Sequence, residues 1–331
     1  MSTSYQHQNH LHLNDEEIKR LINIVTQFNY NPSDYPELFC KESKKLSNLL
    51  PKPIKQKLTD FLKNYFDTGF LLIKTIPIND NEFGKTPESN LFKIGEKTTL
   101  AKIQSILINY IGDMIAYEAE GEGRLFQDVV PLKTMENDQT SVGSNVELEI
   151  HTEQAFSNLR PDILSLACLR GDINAITYIL SVKKIIENLS EEEVQMLYKP
   201  LWKTGIDLSF KLNGNEFIEG DIRGPFSILN GNIADPRLIF DKDLMFGITE
   251  EANNIINKIV NIYDNHRKKI ILQPGEIIIL DNNRVVHGRS PFVPKYDGTD
   301  RFLVRCFATL NYEKSKYARP DDSRTIRAIY S

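Results

Sequence analysis

Long apolar runs, paired cysteines and an excess of positive charge are all missing from this chain. No stretch approaches the ~20 consecutive apolar residues that span a bilayer, so no membrane partner is expected. Residues Met1 to His12 are polar and lack the apolar core of a secretory leader, so a cytoplasmic location is expected. Only three cysteines, Cys40, Cys168 and Cys306, are scattered along the chain without a Cys-x-x-Cys pair. Buried free thiols in a reducing cytosol are the reading this favours. Lysine and arginine total 40 against 45 acidic residues, a net charge of −5. That is not the basic footprint of a nucleic-acid-binding protein. Also missing are a domain-scale linker, a low-complexity tract and an internal repeat.

What is there reads as one globular unit of 331 residues. All-β folds commonly reach about 200 to 250 residues as a single domain, and terminal helices account for the remainder. The expected organisation is a flexible arm over residues 1–12 and one domain over 13–331. His7, His10 and His12 then belong to the arm rather than to a metal cluster, because termini are commonly untethered.

Asn14 and Glu17 have capping-box spacing, and Ile18, Leu21, Ile22 and Val25 follow at helical intervals. Ile54, Leu58, Phe61 and Leu62 mark a second helix, followed by a strand over Phe70 to Ile73. The spacing predicts a third helix from Leu100 to Tyr117, carrying Ile103, Ile106, Leu107, Tyr110, Ile111 and Met114. Beyond it the chain turns mostly to strands, at Phe126 to Val130, Val146 to Ile150 and Ile163 to Leu169, with a hairpin around Asn213-Gly214. Short helices are expected over Ser190 to Tyr198 and after Thr249. The pattern is a β core with helices outside it, an α+β class.

Within that pattern, His151-Thr152-Glu153 closes an alternating run in which Val146, Leu148 and Ile150 are apolar. If the strand continues through the tripeptide, residues two apart share a face and both side chains reach one ion. A second histidine, His287, follows the buried-strand run Ile277 to Leu280 and the breaker Asp281-Asn282-Asn283. Two imidazoles and a carboxylate are the ligands of the facial triad, which holds a non-haem iron by one face and leaves positions open for oxygen chemistry. Further on, Phe302, Val304 and Cys306 alternate with Arg301, Leu303, Arg305 and Phe307. Two arginines on one strand face stand about 13 Å apart at ~3.3 Å per residue. They suit two different carboxylates, because the planar guanidinium binds a carboxylate in a bidentate fork and stays charged.

Taken together with Met114 to Gly121, Phe126 to Pro131, Gln139 to Ser144, Val146 to Asp172, Phe240 to Met245 and Asp281 to Pro291, these residues carry a family likeness. The chain resembles the iron(II)/2-oxoglutarate-dependent oxygenases of the clavaminate synthase-like group, above all the hydroxylases of free basic amino acids such as L-lysine. The resemblance covers most of the chain. It implies a double-stranded β-helix, or jelly-roll, core with flanking helices. It implies His151, Glu153 and His287 as iron(II) ligands and Arg301 as the anchor for the distal carboxylate of 2-oxoglutarate, assisted by Thr177. Arg305 matches the residue that binds the substrate α-carboxylate. Asp241 and Asp243, either side of Lys242, match acidic residues that face the cationic end of the substrate. A buried ammonium or guanidinium requires such partners; a solvated acidic turn is the other reading of this pair. Gln127 and Ser141 are candidate contacts to the amino-acid head, or structural groups beside a strand.

The reaction implied is hydroxylation of free L-lysine at an unactivated carbon, C4 before C3, with O2 consumed and 2-oxoglutarate decarboxylated to succinate and CO2. L-Arginine or L-ornithine hydroxylation is the alternative with the same triad, and a metal-binding jelly roll without turnover the alternative from another class. A homo-oligomer is left open.

Overall fold

A computed structural model describes residues 9–74, 76–207, 210 and 221–330; the hairpin expected at Asn213-Gly214 lies outside them. Two sheets organise the molecule. The larger runs in the order β1 (His10–His12), β2 (Phe70–Lys74), β14 (Ile277–Asp281), β6 (Ile163–Arg170), β16 (Phe302–Thr309), β3 (Asp113–Tyr117) and β17 (Thr325–Ile326), with β4 (Phe126–Val129) also paired to β16. The smaller runs β13 (Lys268–Ile270), β7 (Thr177–Ser181), β15 (Val285–Arg289) and β5 (Leu148–His151). Beside them lie a three-stranded sheet of β12 (Met245–Gly247), β8 (Trp202–Gly205) and β9 (Ile222–Phe226), and a hairpin of β10 (Leu229–Asn232) and β11 (Asp235–Leu238).

The alternation read along residues 301–307 sorts β16 between two cores. Phe302, Val304 and Cys306 pack with Ile103, Ile106 and Leu107 of the helix Thr99–Ile111 and with the helices Asp15–Val25, Pro36–Ser47 and Lys52–Thr68. Leu303 and Phe307 face the other way, into a cluster with Ile179 of β7 and Val285 of β15. Ile255, Ile256 and Ile259 of the helix Glu250–His266 cover the far side of the smaller sheet, against Ile150, Tyr178, Leu180 and Val286. Because both faces of β16 are covered, all eight of its residues are buried. Arg305 shares the inner face with Leu303 and Phe307, and Arg301 stands just before the strand, so both guanidinium groups are carried into the interior.

Several expectations hold at atomic detail. Glu17 N–H donates to Asn14 Oδ1 and Asn14 N–H to Glu17 Oε2, each at 3.0 Å, closing the box at the helix start. Ser190 and Thr249 cap the helices Glu191–Leu197 and Glu250–His266. The three cysteines are free and buried. No helix among the described residues is long and apolar enough to cross a membrane.

Two expectations need correction. The helix read from Leu100 to Tyr117 ends at Ile111, and Asp113–Tyr117 is β3. Gly112 makes the break, in extended backbone pressed so close to Thr309 that an added Cβ would stand 2.8 Å from its carbonyl oxygen. Met114 to Tyr117 are all buried. A strand covered on both faces loses its alternation and imitates a continuing helix. His10–His12, expected in a flexible arm, instead pair in parallel with Leu72 to Lys74. Ladder bonds and the packing of Leu11 on the main core tie this segment down.

Candidate active site

The metal centre starts from one cross-strand pair. β15 and β5 are antiparallel neighbours, and His287 stands directly opposite His151. Their ring centroids are 4.4 Å apart. Gly288 permits this approach: a Cβ there would lie 2.6 Å from the Leu148 carbonyl oxygen and 2.7 Å from Tyr263 Oη. His151 Nδ1 lies 2.7 Å from the Glu149 carbonyl oxygen. A carbonyl can only accept, so this nitrogen carries the proton and Nε2 is left as the metal-binding lone pair.

Glu153 reaches the site by another route than the one expected. β5 ends at His151 rather than running on through the tripeptide. The Thr152 N–H donates to the Phe240 carbonyl at 2.7 Å, and the Glu153 N–H donates to Asn282 Oδ1 at 2.7 Å. So held, Glu153 Oε1 lies 3.2 Å from His287 Nε2 and 3.9 Å from His151 Nε2. One ligand atom from each of the three residues falls within 4.8 Å of the others. Burial would raise the Glu153 pKa, but the bond to His287 and the Arg305 charge overcome it and hold the carboxyl at about 2. A permanently ionised carboxylate and two imidazoles at one point fit iron(II) by the chemistry of the donor set.

All ten residues singled out in the sequence line one cavity around this point. Arg301 is buried, and its guanidinium makes no hydrogen bond or ion pair among the described residues; the Phe292 ring centroid is 6.0 Å away. Burial lowers its pKa to about 10, which leaves it charged. Thr177 sits opposite Arg289 across β7 and β15. Arg289, which had drawn no attention in the sequence, donates to the carbonyls of Gly143, Val146 and Ser290, tying down the loop that carries Ser141.

Arg305, by contrast, is fully engaged. Its Nε donates to Gln127 Oε1 at 3.0 Å, it pairs with Glu120, and its Nη1 lies 3.7 Å from Glu153 Oε2. Glu120 lies in a segment quoted for the family likeness but had no expected role. Burial raises its pKa, against the Arg305 charge and the bond from Gln154.

The cavity also carries further acids. Asp241 is buried, its backbone bridges to His151, and its Oδ1 accepts from the Leu244 N–H at 2.9 Å. Asp243 is exposed at the cavity rim. Asp207, which follows β8 and had no signal in the sequence, lines the same cavity and is partly buried. Burial first, then the Asp241 charge, pushes Asp207 up to about 7. Burial likewise raises Asp241.

The model of the taurine catabolism dioxygenase TauD, TfdA family matches residues 226–307, the part that carries His287 and both arginines. An L-lysine 3-hydroxylase of Catenulispora acidiphila is 42% identical over 293 residues, 88% of this chain and 82% of that one. The chain belongs to the iron(II)/2-oxoglutarate-dependent oxygenases. An L-lysine 4-hydroxylase of Chitinophaga pinensis is 27% identical to the oxygenase over 271 residues, 78% of this chain and 69% of that one. The crystal structure of an asparagine oxygenase with Fe(II), 2S,3S-3-hydroxyasparagine and succinate superposes with a TM-score of 0.89 at 29% identity, covering 96% and 99% of the two chains. Iron(II) and 2-oxoglutarate are therefore the cofactor and co-substrate of the oxygenase, and the triad is where its own residues offer iron a site.

Proposed function

We propose that the oxygenase hydroxylates free L-lysine, at C3. The observation that carries this reading is a pair of carboxylates, buried Asp241 and partly buried Asp207, in the same cavity as the arginines. Burial disfavours the ionised form of each acid and raises its pKa. An ε-ammonium placed between them relieves the penalty, and a neutral side chain does not. In the same cavity, Arg305 and Glu120 offer a cation and an anion side by side, which suits the zwitterionic head of a free amino acid. Gln127 and Ser141 are assigned to the same head, with Asp243 as an outer acid at the rim.

Bound iron(II) supplies the activation of O2 that couples decarboxylation of 2-oxoglutarate, to succinate and CO2, with hydroxylation of an unactivated carbon. The protein groups orient the reactants. Arg301, with Thr177 beside it, takes the far carboxylate of 2-oxoglutarate, since a buried guanidinium without a partner is complementary to an anion. We read the two sheets facing across the cavity as the expected double-stranded β-helix. The choice of carbon moves from the expected C4 to C3. The expectation of C4 rested on family likeness alone, and 42% identity to a 3-hydroxylase against 27% to a 4-hydroxylase favours C3.

The test is aerobic incubation of the iron-loaded oxygenase and 2-oxoglutarate with lysine, ornithine, arginine, asparagine or norleucine separately. Succinate is quantified and products are identified by mass spectrometry and NMR. Lysine is expected to be consumed fastest, giving 3-hydroxylysine with matching succinate. Faster turnover of asparagine or norleucine would overturn the cationic side chain, and faster turnover of arginine or ornithine would overturn lysine.

A further inference from the structure

The carboxylate ligand is held by something other than its strand. β5 stops at His151, and Gln154, immediately after Glu153, has a φ of 52°, so the chain turns sharply where the ligand stands. Asn282 supplies the missing constraint. It lies in the turn between β14 and β15, is 1% exposed, and its side-chain amide grips Glu153 from both sides of the peptide. Oδ1 accepts from the Glu153 N–H at 2.7 Å, and Nδ2 donates to the Glu153 carbonyl at 3.1 Å and to the Pro161 carbonyl at 2.8 Å. The amide thus behaves as one residue of an antiparallel partner where no strand exists.

We infer that Asn282 is a positioning residue for the carboxylate ligand, fixing Glu153 against His287 through the backbone of Glu153. The same short turn leads directly into β15, which carries His287. One structural unit therefore delivers one ligand directly and clamps a second, which keeps their separation independent of movement elsewhere in the loop. Only a short primary amide meets the demand. Aspartate offers the acceptor without the donor, serine has one hydroxyl for three partners, and glutamine is a methylene too long. The inference rests on the triad as the iron site, and concerns ligand placement rather than substrate.

The experiment is anaerobic Co(II) titration of the full chain, read by the electronic absorption of the bound ion, with thermal melting of each apo variant alongside. Asn282→Ala and Asn282→Ser are expected to bind Co(II) about 10–100-fold more weakly, the range for losing a group that orients a ligand, with an altered spectrum. Asn283→Ala is the control, because that buried neighbour bonds to Asp162 and Arg160 and touches no ligand. It is expected to lower the melting temperature while keeping Co(II) affinity within about twofold. In a Glu153→Ala background, Asn282→Ala should weaken Co(II) binding less than about threefold further, since no carboxylate remains to be placed. If either Asn282 variant folds and binds Co(II) as the unmodified chain does, the inference fails. It fails equally if the full loss persists in the Glu153→Ala background, for then the amide acts on the histidines. Should Asn282→Ala not fold, the serine variant carries the same test. Failure of the unmodified chain to bind Co(II) at all would instead count against the triad.

Discussion

The arginine end and the aspartate end of the cavity hold their buried charge differently. Arg301 has no hydrogen-bonding partner among the described residues and still keeps its charge, because burial brings its pKa only to about 10. Asp207 and Asp241 face the same desolvation, and Asp207 rises to about 7, where it takes a proton near neutrality. A guanidinium is therefore a fixed charge, and a pair of carboxylates an adjustable one. On the proposed assignment, the co-substrate meets a permanent cation at Arg301. The substrate ammonium meets acids whose pKa burial raises. Arg305 is a third case, a cation already neutralised by Glu120 and close to Glu153.

The largest effect should come from the metal site. His151→Ala or His287→Ala leaves both charged ends in place and is expected to abolish iron binding and turnover, checked by metal content after anaerobic loading and by succinate release. Full activity in either variant would sink the triad.

Next in size is the fixed end. Arg301→Leu removes the partner of a buried carboxylate, which costs about 2–5 kcal/mol in comparable pairs. The KM for 2-oxoglutarate should rise roughly 30-fold or more, at about 1.4 kcal/mol per tenfold, while lysine binding in the presence of saturating 2-oxoglutarate changes little. A rise confined to the lysine KM would show that the two ends have been assigned in reverse.

The adjustable end should respond less per residue. Asp207→Asn with Asp241→Asn keeps the size and removes the charge, and kcat/KM for lysine is expected to fall at least about tenfold by the loss of a buried charge partner. Asp243→Asn should change it less than about threefold, since an exposed charge is screened. An Asp243 effect larger than that of the double variant would return the substrate site to the rim.

The smallest effect, and the one that separates the ends most directly, is the pH dependence of the two Michaelis constants. Pairing with an ammonium requires Asp207 ionised. Lysine affinity should therefore be fully present above its pKa of about 7 and fall as pH drops through it, by at most about tenfold per unit for one proton. Arg301 loses charge only as pH rises toward 10, so 2-oxoglutarate affinity should be flat between pH 6 and 8 and weaken on the alkaline side. Parallel profiles for the two constants would remove the distinction. Asp207→Asn should abolish the acid flank for lysine alone.

Much of the site was legible because its chemistry depends on residue type and order. Histidine and glutamate two apart, a distant histidine after a buried run, and two arginines in one register are visible without coordinates, and the structure brings all of them to one cavity. The strand of Arg305 was readable from alternation alone, since its two faces enter two different cores. Asp207 was invisible because nothing local distinguishes an aspartate that lines a cavity from one at the surface; the charges that act on it, Asp241, Glu120, His151 and Glu153, come from other segments of the chain. Asn282 was read only as a strand breaker. The triple bonding of its amide exists only once Glu153 and Pro161, more than a hundred positions earlier, fold against it.

The sequence by itself determined which donors are available to a metal, which strand faces turn inward, and that two arginines would face the same way. These follow from side-chain chemistry and from the two-residue period of a strand. Only the tertiary structure decided that Met114 to Tyr117 leave the helix for the sheet, that Glu153 leaves its strand, and that Arg305 is met by Glu120 while Arg301 is not. Those outcomes depend on hydrogen bonds and charges supplied by distant segments, and local periodicity carries no information about which distant group will be the partner.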